Sequence, residues 1–133
     1  MKKIVILICF LLLITGCKDK KEENMNKENN SNKDTITITK VTCDKMKELV
    51  GDGAILIDVR EKDEYDEGHL DNAINISYTV IGDKIGEITS DLDKKIVVYC
   101  KSGGRSNKAA NTLKLLGYKN IYDLGSINNC KDN

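Results

Sequence analysis

Two short apolar runs, Ala54-Ile55-Leu56-Ile57 and Ile96-Val97-Val98-Tyr99, most constrain what this chain can fold into. Neither alternates with polar residues. A strand that is apolar at every position is expected where both of its faces are covered, as in a parallel sheet with helices on each side. The segments between the runs carry helical patterns. Strands alternating with helices predict an α/β domain with a mostly parallel sheet, here five-stranded with helices on both faces.

The remaining elements follow from periodicity and punctuation. Thr35 to Thr39 alternates Thr with Ile and predicts a first strand. Thr42 is a candidate N-cap for a short helix through Val50, with Met46, Leu49 and Val50 as its apolar face. Gly51-Asp52-Gly53 ends it. Glu61 to Glu67 predicts a short helix closed at Gly68, Ala73 to Ile76 a short strand, and Tyr78 to Ile88 a weak helix interrupted by glycines. Asn107 to Leu116 carries Ala109, Ala110, Leu113 and Leu116 on one face and stops at Gly117. Asn120 to Leu124 predicts the last strand.

The candidate chemistry lies in Cys100-Lys101-Ser102-Gly103-Gly104-Arg105-Ser106, between the second apolar run and a helix. A cysteine at a strand end, followed by a glycine-bearing turn and a helix start, is placed to be a thiolate. The N–H groups of the loop can form an anion-binding nest, and the helix presents its positive end to the same point. Both favour the nucleophilic thiolate over the thiol. Gly103 and Gly104 allow a curled loop, and Arg105 adds a forked cation. In an open parallel sheet, ligands bind outside the carboxyl ends of the strands, where Cys100 falls. The opposing reading is a small buried cysteine that ends a core strand.

The N-terminus carries a targeting pattern. Lys2 and Lys3 precede eleven unbroken apolar residues, Ile4 to Ile14, too few for a comfortable membrane span and suited to a signal peptide. Leu13-Ile14-Thr15-Gly16-Cys17 resembles the bacterial lipobox, which implies cleavage after Gly16 and lipid attachment to Cys17. The expected organisation is a lipoprotein signal peptide at 1–16, a lipidated Cys17 with a disordered polar tether at 17–34, and one domain at 35–133. This predicts a membrane-anchored protein on the extracytoplasmic face, reached through a tether spanning roughly 20–25 Å. Loss of the signal segment takes the formal charge from zero to −2, so no basic field points to nucleic acid. With Cys17 lipidated, Cys43, Cys100 and Cys130 remain, an odd number outside the cytoplasm. Cys43 and Cys130 are candidates for a structural pair. With His69 the sole histidine and no CxxC, no metal site or cofactor is predicted.

Several ordered motifs resemble a single-domain rhodanese. They are Ile57-Asp58-Val59-Arg60-Glu61, Tyr65-Asp66-Glu67-Gly68-His69-Leu70, Ala73-Ile74-Asn75-Ile76, the Cys100 loop, Leu116-Gly117-Tyr118 and Tyr122-Asp123-Leu124-Gly125. The resemblance covers residues 36–130. It implies the rhodanese fold and a sulfurtransferase of the thiosulfate:cyanide type. Cys100 would take sulfane sulfur from a small anionic donor, become a persulfide, and pass the outer sulfur to a thiol or other thiophilic acceptor. It also implies that the backbone of Lys101, Ser102, Gly103, Gly104 and Arg105 cradles the anion. The Lys101 and Arg105 side chains are candidates for holding a thiosulfate-like dianion. The alternatives are a solvated Lys101, and an Arg105 salt-bridged to Asp58 or to a helix-end carboxylate. Asp58, Arg60 and His69 are implied as loop supports, His69 through a hydrogen bond and not as a general base. Four residues separate Cys100 from Arg105, whereas cysteine phosphatases place five there, so the shorter ring argues against phosphate chemistry.

The chain departs from the family at Asp71-Asn72, where Pro-Gly is common, at Ser77 for Pro, and at Ser126 for a second glycine. Cys130 stands about where an aromatic ring is usual. The last change suggests that Cys130 or Cys43 resolves a Cys100 persulfide or forms a disulfide. Two other functions compete with the monomeric sulfurtransferase: a non-catalytic rhodanese-like protein-binding module, and a surface thiol–disulfide redox protein.

Overall fold

A computed structural model describes residues 35–131. The signal segment, Cys17 and the tether lie outside the described residues. The elements are β1 (Ile38–Lys40), α1 (Cys43–Gly51), β2 (Ile55–Asp58), α2 (Lys62–Glu67), β3 (Ile74–Asn75), α3 (Ile81–Ile88), β4 (Lys95–Cys100), α4 (Gly104–Leu115) and β5 (Asn120–Ser126), with a terminal 3-10 turn at Ile127–Cys130. The five strands form one sheet in the order β1-β5-β4-β2-β3, and every pairing is parallel.

The apolar runs become the central strand β4 and its neighbour β2, both interior, for the reason their pattern gave. Along β4, Ile96, Val98 and Cys100 pack on one face with Ala109, Ala110 and Leu113 of α4 and Ile81 and Ile85 of α3. Val97 and Tyr99 pack on the other face with Met46 and Leu49 of α1, Leu124 and Ile127. Each fully buried aliphatic side chain stabilises by about 1.5–3 kcal/mol. A strand buried on both faces therefore dominates this sheet, while β3 at the edge needs only two residues.

The Thr42 cap is as the pattern predicts, its hydroxyl accepting from Lys45 N–H at 3.3 Å. The start of α4 differs: it begins at Gly104, three residues before the predicted Asn107. Gly103 takes φ +104°, a conformation only glycine adopts cheaply, and turns the chain straight into the helix. β5 also runs two residues past its predicted end, and its register against β4 shifts at Val98/Tyr99. The shift pairs Cys100 with Ser126. Cys100 thus closes the central strand at the carboxyl edge of the sheet, at the entrance to α4.

Candidate active site

Cys100 is 1% exposed, yet its environment is not that of an inert core thiol. Gly103 N–H donates to its Sγ at 3.0 Å. Burial alone would push the thiol pKa up. Hydrogen bonds from the backbone N–H groups of Ser106, Gly103 and Ser102 outweigh burial and hold it below the ordinary thiol value. The Ser106 hydroxyl donates to Gly103 O at 3.0 Å, which locks the first turn of α4 under the sulfur. Ser106 is fully buried and was not singled out from sequence. A serine in the first turn after a glycine loop is the signal that could have found it.

The predicted cradle residues all lie on this loop, with different duties. Ser102 and Gly103 supply N–H donors, and Gly104 opens the helix. The Lys101 side chain is exposed, and its carbonyl accepts from Ser126 Oγ at 2.6 Å. Arg105 turns to α2, where its two terminal nitrogens donate to Glu64 at 2.5 and 2.9 Å. The bidentate bond holds the Glu64 carboxyl down to about 2 and raises Arg105 further. Of the alternatives the sequence left open for Arg105, the structure takes the carboxylate of a helix end. A donor anion reaches this guanidinium only in competition with Glu64.

Asp58 and Arg60 form a second fork, both buried beside β4. Arg60 donates to Asp58 through Nε at 2.9 and 3.0 Å and through a terminal nitrogen at 2.6 Å, and also to Gly68 O at 2.7 Å. Asn75 ties in the same strand end, donating to Asp58 O and Arg60 O at 3.0 and 2.9 Å. His69 is exposed, stacks on Tyr65 at 3.7 Å, and sets Nδ1 2.9 Å from Tyr65 O. Asp58, Arg60 and His69, with Asn75, brace the segment that carries α2 and therefore Glu64. An open cleft of ≈ 420 Å³ runs between α2 and the terminal turn, lined by Arg60, Glu64, His69, Ile127 and Lys131 among others. Among the described residues no group of three or more His, Cys, Asp and Glu side chains could hold a metal ion.

The expectation that Cys43 or Cys130 resolves Cys100 meets a different arrangement. Cys43 and Cys130 are bonded to each other, and Cys100 is the free cysteine among the described residues. The pair packs with the α1 face of the sheet and Cys100 with the α4 face, so the sheet lies between the two sulfur centres.

The sequence profile of the rhodanese-like domain matches residues 42–132. The chain belongs to the rhodanese-like domain family. It is 31% identical over 71 residues to the thiosulfate sulfurtransferase PspE of Escherichia coli, covering 53% of this chain and 68% of that protein. It is 37% identical over 75 residues to a tRNA uridine(34) hydroxylase of Erwinia tasmaniensis, covering 53% of this chain. It spans only 21% of that longer relative. Among solved structures, an Escherichia coli rhodanese described with anions superposes with TM-score 0.57 at 28% identity, over 59% of this chain and 93% of the other. The rhodanese fold expected from the motifs is therefore the observed one, and its relatives include sulfurtransferases.

Proposed function

We propose that this rhodanese-like protein is a sulfurtransferase that carries sulfane sulfur on Cys100. The observation that carries the reading is the buried sulfur at the end of β4, which accepts from Gly103 N–H at 3.0 Å in the loop that opens α4. The Cys100 thiolate attacks the outer sulfur of a thiosulfate- or persulfide-type donor. The donor S–S bond breaks, and its electron pair leaves with sulfite or with a thiolate. The new persulfide keeps its negative charge within the same N–H cradle. A thiol or other thiophilic acceptor then attacks the outer sulfur, and Cys100 leaves as the thiolate that began the cycle. No general base is required, because the thiol is already biased toward its ionised form. Lys101 offers an exposed cation at the rim of the loop, and Arg105 positions the loop against α2 through Glu64.

An intact nucleophile in a donor-lined cradle favours chemistry over a purely binding role. A redox role for Cys100 finds no resolving partner in Cys43 or Cys130, which are joined to each other. The hydroxylase named among the relatives is far longer than this chain, and its activity is a property of that protein.

The extracytoplasmic, lipid-anchored setting is part of the same proposal. The Leu13-to-Cys17 segment supports it, as does a disulfide, a bond that persists in oxidising compartments. Detergent-phase partition and fatty-acid labelling of the full chain against Cys17→Ala test the anchor. The sulfur chemistry is tested by intact mass after incubation with thiosulfate. The expected result is a gain of one sulfur atom that cyanide removes and Cys100→Ser lacks. A well-folded protein that takes up no sulfur from thiosulfate or from a small-molecule persulfide overturns the reading.

A further inference from the structure

The Cys43–Cys130 disulfide takes no part in sulfur transfer, yet it is wired to the loop that does. Cys130 closes the terminal 3-10 turn, and Cys43 opens α1. Ser126 begins that turn. Its Oγ accepts from Asn128 N–H at 3.1 Å and donates to the Lys101 carbonyl at 2.6 Å. Ser126 is also the β-ladder partner of Cys100. Its neighbour Gly125 lies beside Gly103, where a Cβ on Gly103 would make an ordinary contact of 3.7 Å with Gly125 Cα. Gly103 is the residue whose N–H reaches the Cys100 sulfur. A continuous set of contacts therefore runs from the disulfide, through the turn and Ser126, to the donors of the cradle. The bond is also reachable: Cys130 is half-buried and lines an open cleft of ≈ 790 Å³ with Met46, Lys47 and Leu70, whereas Cys43 is 4% exposed.

We propose that the Cys43–Cys130 disulfide is a redox-sensitive fastener on the active-site loop, whose reduction frees the terminal turn, relaxes the cradle around the Cys100 sulfur and slows sulfur transfer. The inference rests on the reading of Cys100 as the sulfur-carrying nucleophile. The reductant is a dithiol. One of its thiolates attacks Cys130 Sγ, the Sγ–Sγ bond breaks, and Cys43 leaves as a thiolate that takes a proton. The second thiol of the reductant then displaces Cys130 from the mixed disulfide. The reductant departs as its own disulfide, having supplied two electrons and two protons.

The test reads the Cys100 thiol directly. Native protein, oxidised or reduced with dithiothreitol that is then removed, is alkylated with limiting iodoacetamide across a pH series. The rate at Cys100 is followed on its own peptide by mass spectrometry. Arg105 and Glu64, the charged pair beside the loop, stay ionised through the neutral and alkaline range, so the inflection reports the thiol. After reduction the inflection is expected at higher pH, with a several-fold slower reaction near neutrality. Coincident profiles overturn the proposal. Cys43→Ser/Cys130→Ser should reproduce the reduced profile; if that variant fails to fold, the reduced native protein carries the test. Ser126→Ala cuts the contact to Lys101 and should shrink the difference between the oxidised and reduced profiles. A difference that persists undiminished overturns the route through Ser126. Alkylation needs neither donor nor acceptor, so a failure of sulfur transfer and a failure of the fastener are told apart.

Discussion

Cys43 and Cys100 are both buried beside the start of a helix, Cys43 as the first residue of α1 and Cys100 as the last residue of β4, just before the loop into α4. A helix start is commonly credited with activating a thiol, yet only one of these sulfurs is left as a free nucleophile. The difference lies in the caps. Thr42 caps α1, and its Oγ1 and carbonyl take the Lys45 and Met46 N–H groups. Gly103 caps α4 with no side chain, so the first-turn N–H of Ser106 is left for the Cys100 sulfur. A capping hydroxyl consumes the donors that a glycine cap leaves for an anion. Cys43 becomes an anchor in a disulfide, and Cys100 stays a free thiol held below the ordinary thiol value.

The largest expected effect separates the two sulfurs by role. On the proposed function, Cys100→Ser should lower sulfurtransferase turnover by several orders of magnitude, since it removes the atom proposed to carry the sulfur. It should change stability by no more than about 1 kcal/mol, because serine is similar in size and its hydroxyl inherits the N–H donors. Cys43→Ser/Cys130→Ser should do the reverse in kind. The bond closes a loop with a sequence separation of 87, and its loss should cost about 2–5 kcal/mol in urea unfolding. Turnover should fall but persist. If the double variant matched the native midpoint, the disulfide would be incidental to the fold and the contrast between anchor and nucleophile would collapse.

How far the sequence reached follows from where each signal was local. The central strands were legible because burial on both faces leaves an unbroken apolar run, and Thr42 because a cap acts over three residues. The Cys100 loop was legible as a nest for the same reason. The start of α4 was misplaced by three residues because glycine at 103 and 104 reads as a turn, whereas Gly103 at φ +104° is what launches the helix. Arg105 and Glu64 lie 41 residues apart, Ser126 and Lys101 25 apart, and Cys43 and Cys130 87 apart. The first two pairs meet because α2 and β5 converge on the carboxyl end of β4, and the third because the terminal turn folds back on the start of α1; no local pattern encodes either approach.

Gly103→Ala sharpens the comparison at the cap itself. A Cβ at this backbone angle costs roughly 1–2 kcal/mol, so the variant should be destabilised by about that amount. The more telling readout is at the sulfur. Gly103 N–H is a direct donor to Sγ at 3.0 Å, and a distorted cap turns it away. The alkylation profile of Cys100 should therefore shift to higher pH, toward an ordinary thiol. An unchanged profile in a destabilised protein would mean that the Ser102 and Ser106 donors suffice without the glycine cap.

The smallest effect concerns the ion pair that braces the cradle from α2. Glu64 is held at about 2 against an ordinary 4.5, chiefly by the Arg105 hydrogen bonds. A carboxyl whose pKa is depressed on folding stabilises fully above its unfolded value, and that contribution fades as pH falls through the folded one. The pair should thus add stability at neutral pH and lose it between pH 4.5 and about 2. Both side chains keep about a quarter of their surface in solvent (26% and 28%), so screening cuts the contribution to about 1 kcal/mol. Glu64→Gln should be destabilised by that amount near neutrality and converge on the native protein in acid, read as urea midpoints across the series. Added salt should narrow the gap at neutral pH. Should the gap instead stay constant down to pH 2, the bridge would owe its value to packing of the Arg105 stem and not to charge, and the brace on the Cys100 loop would be steric.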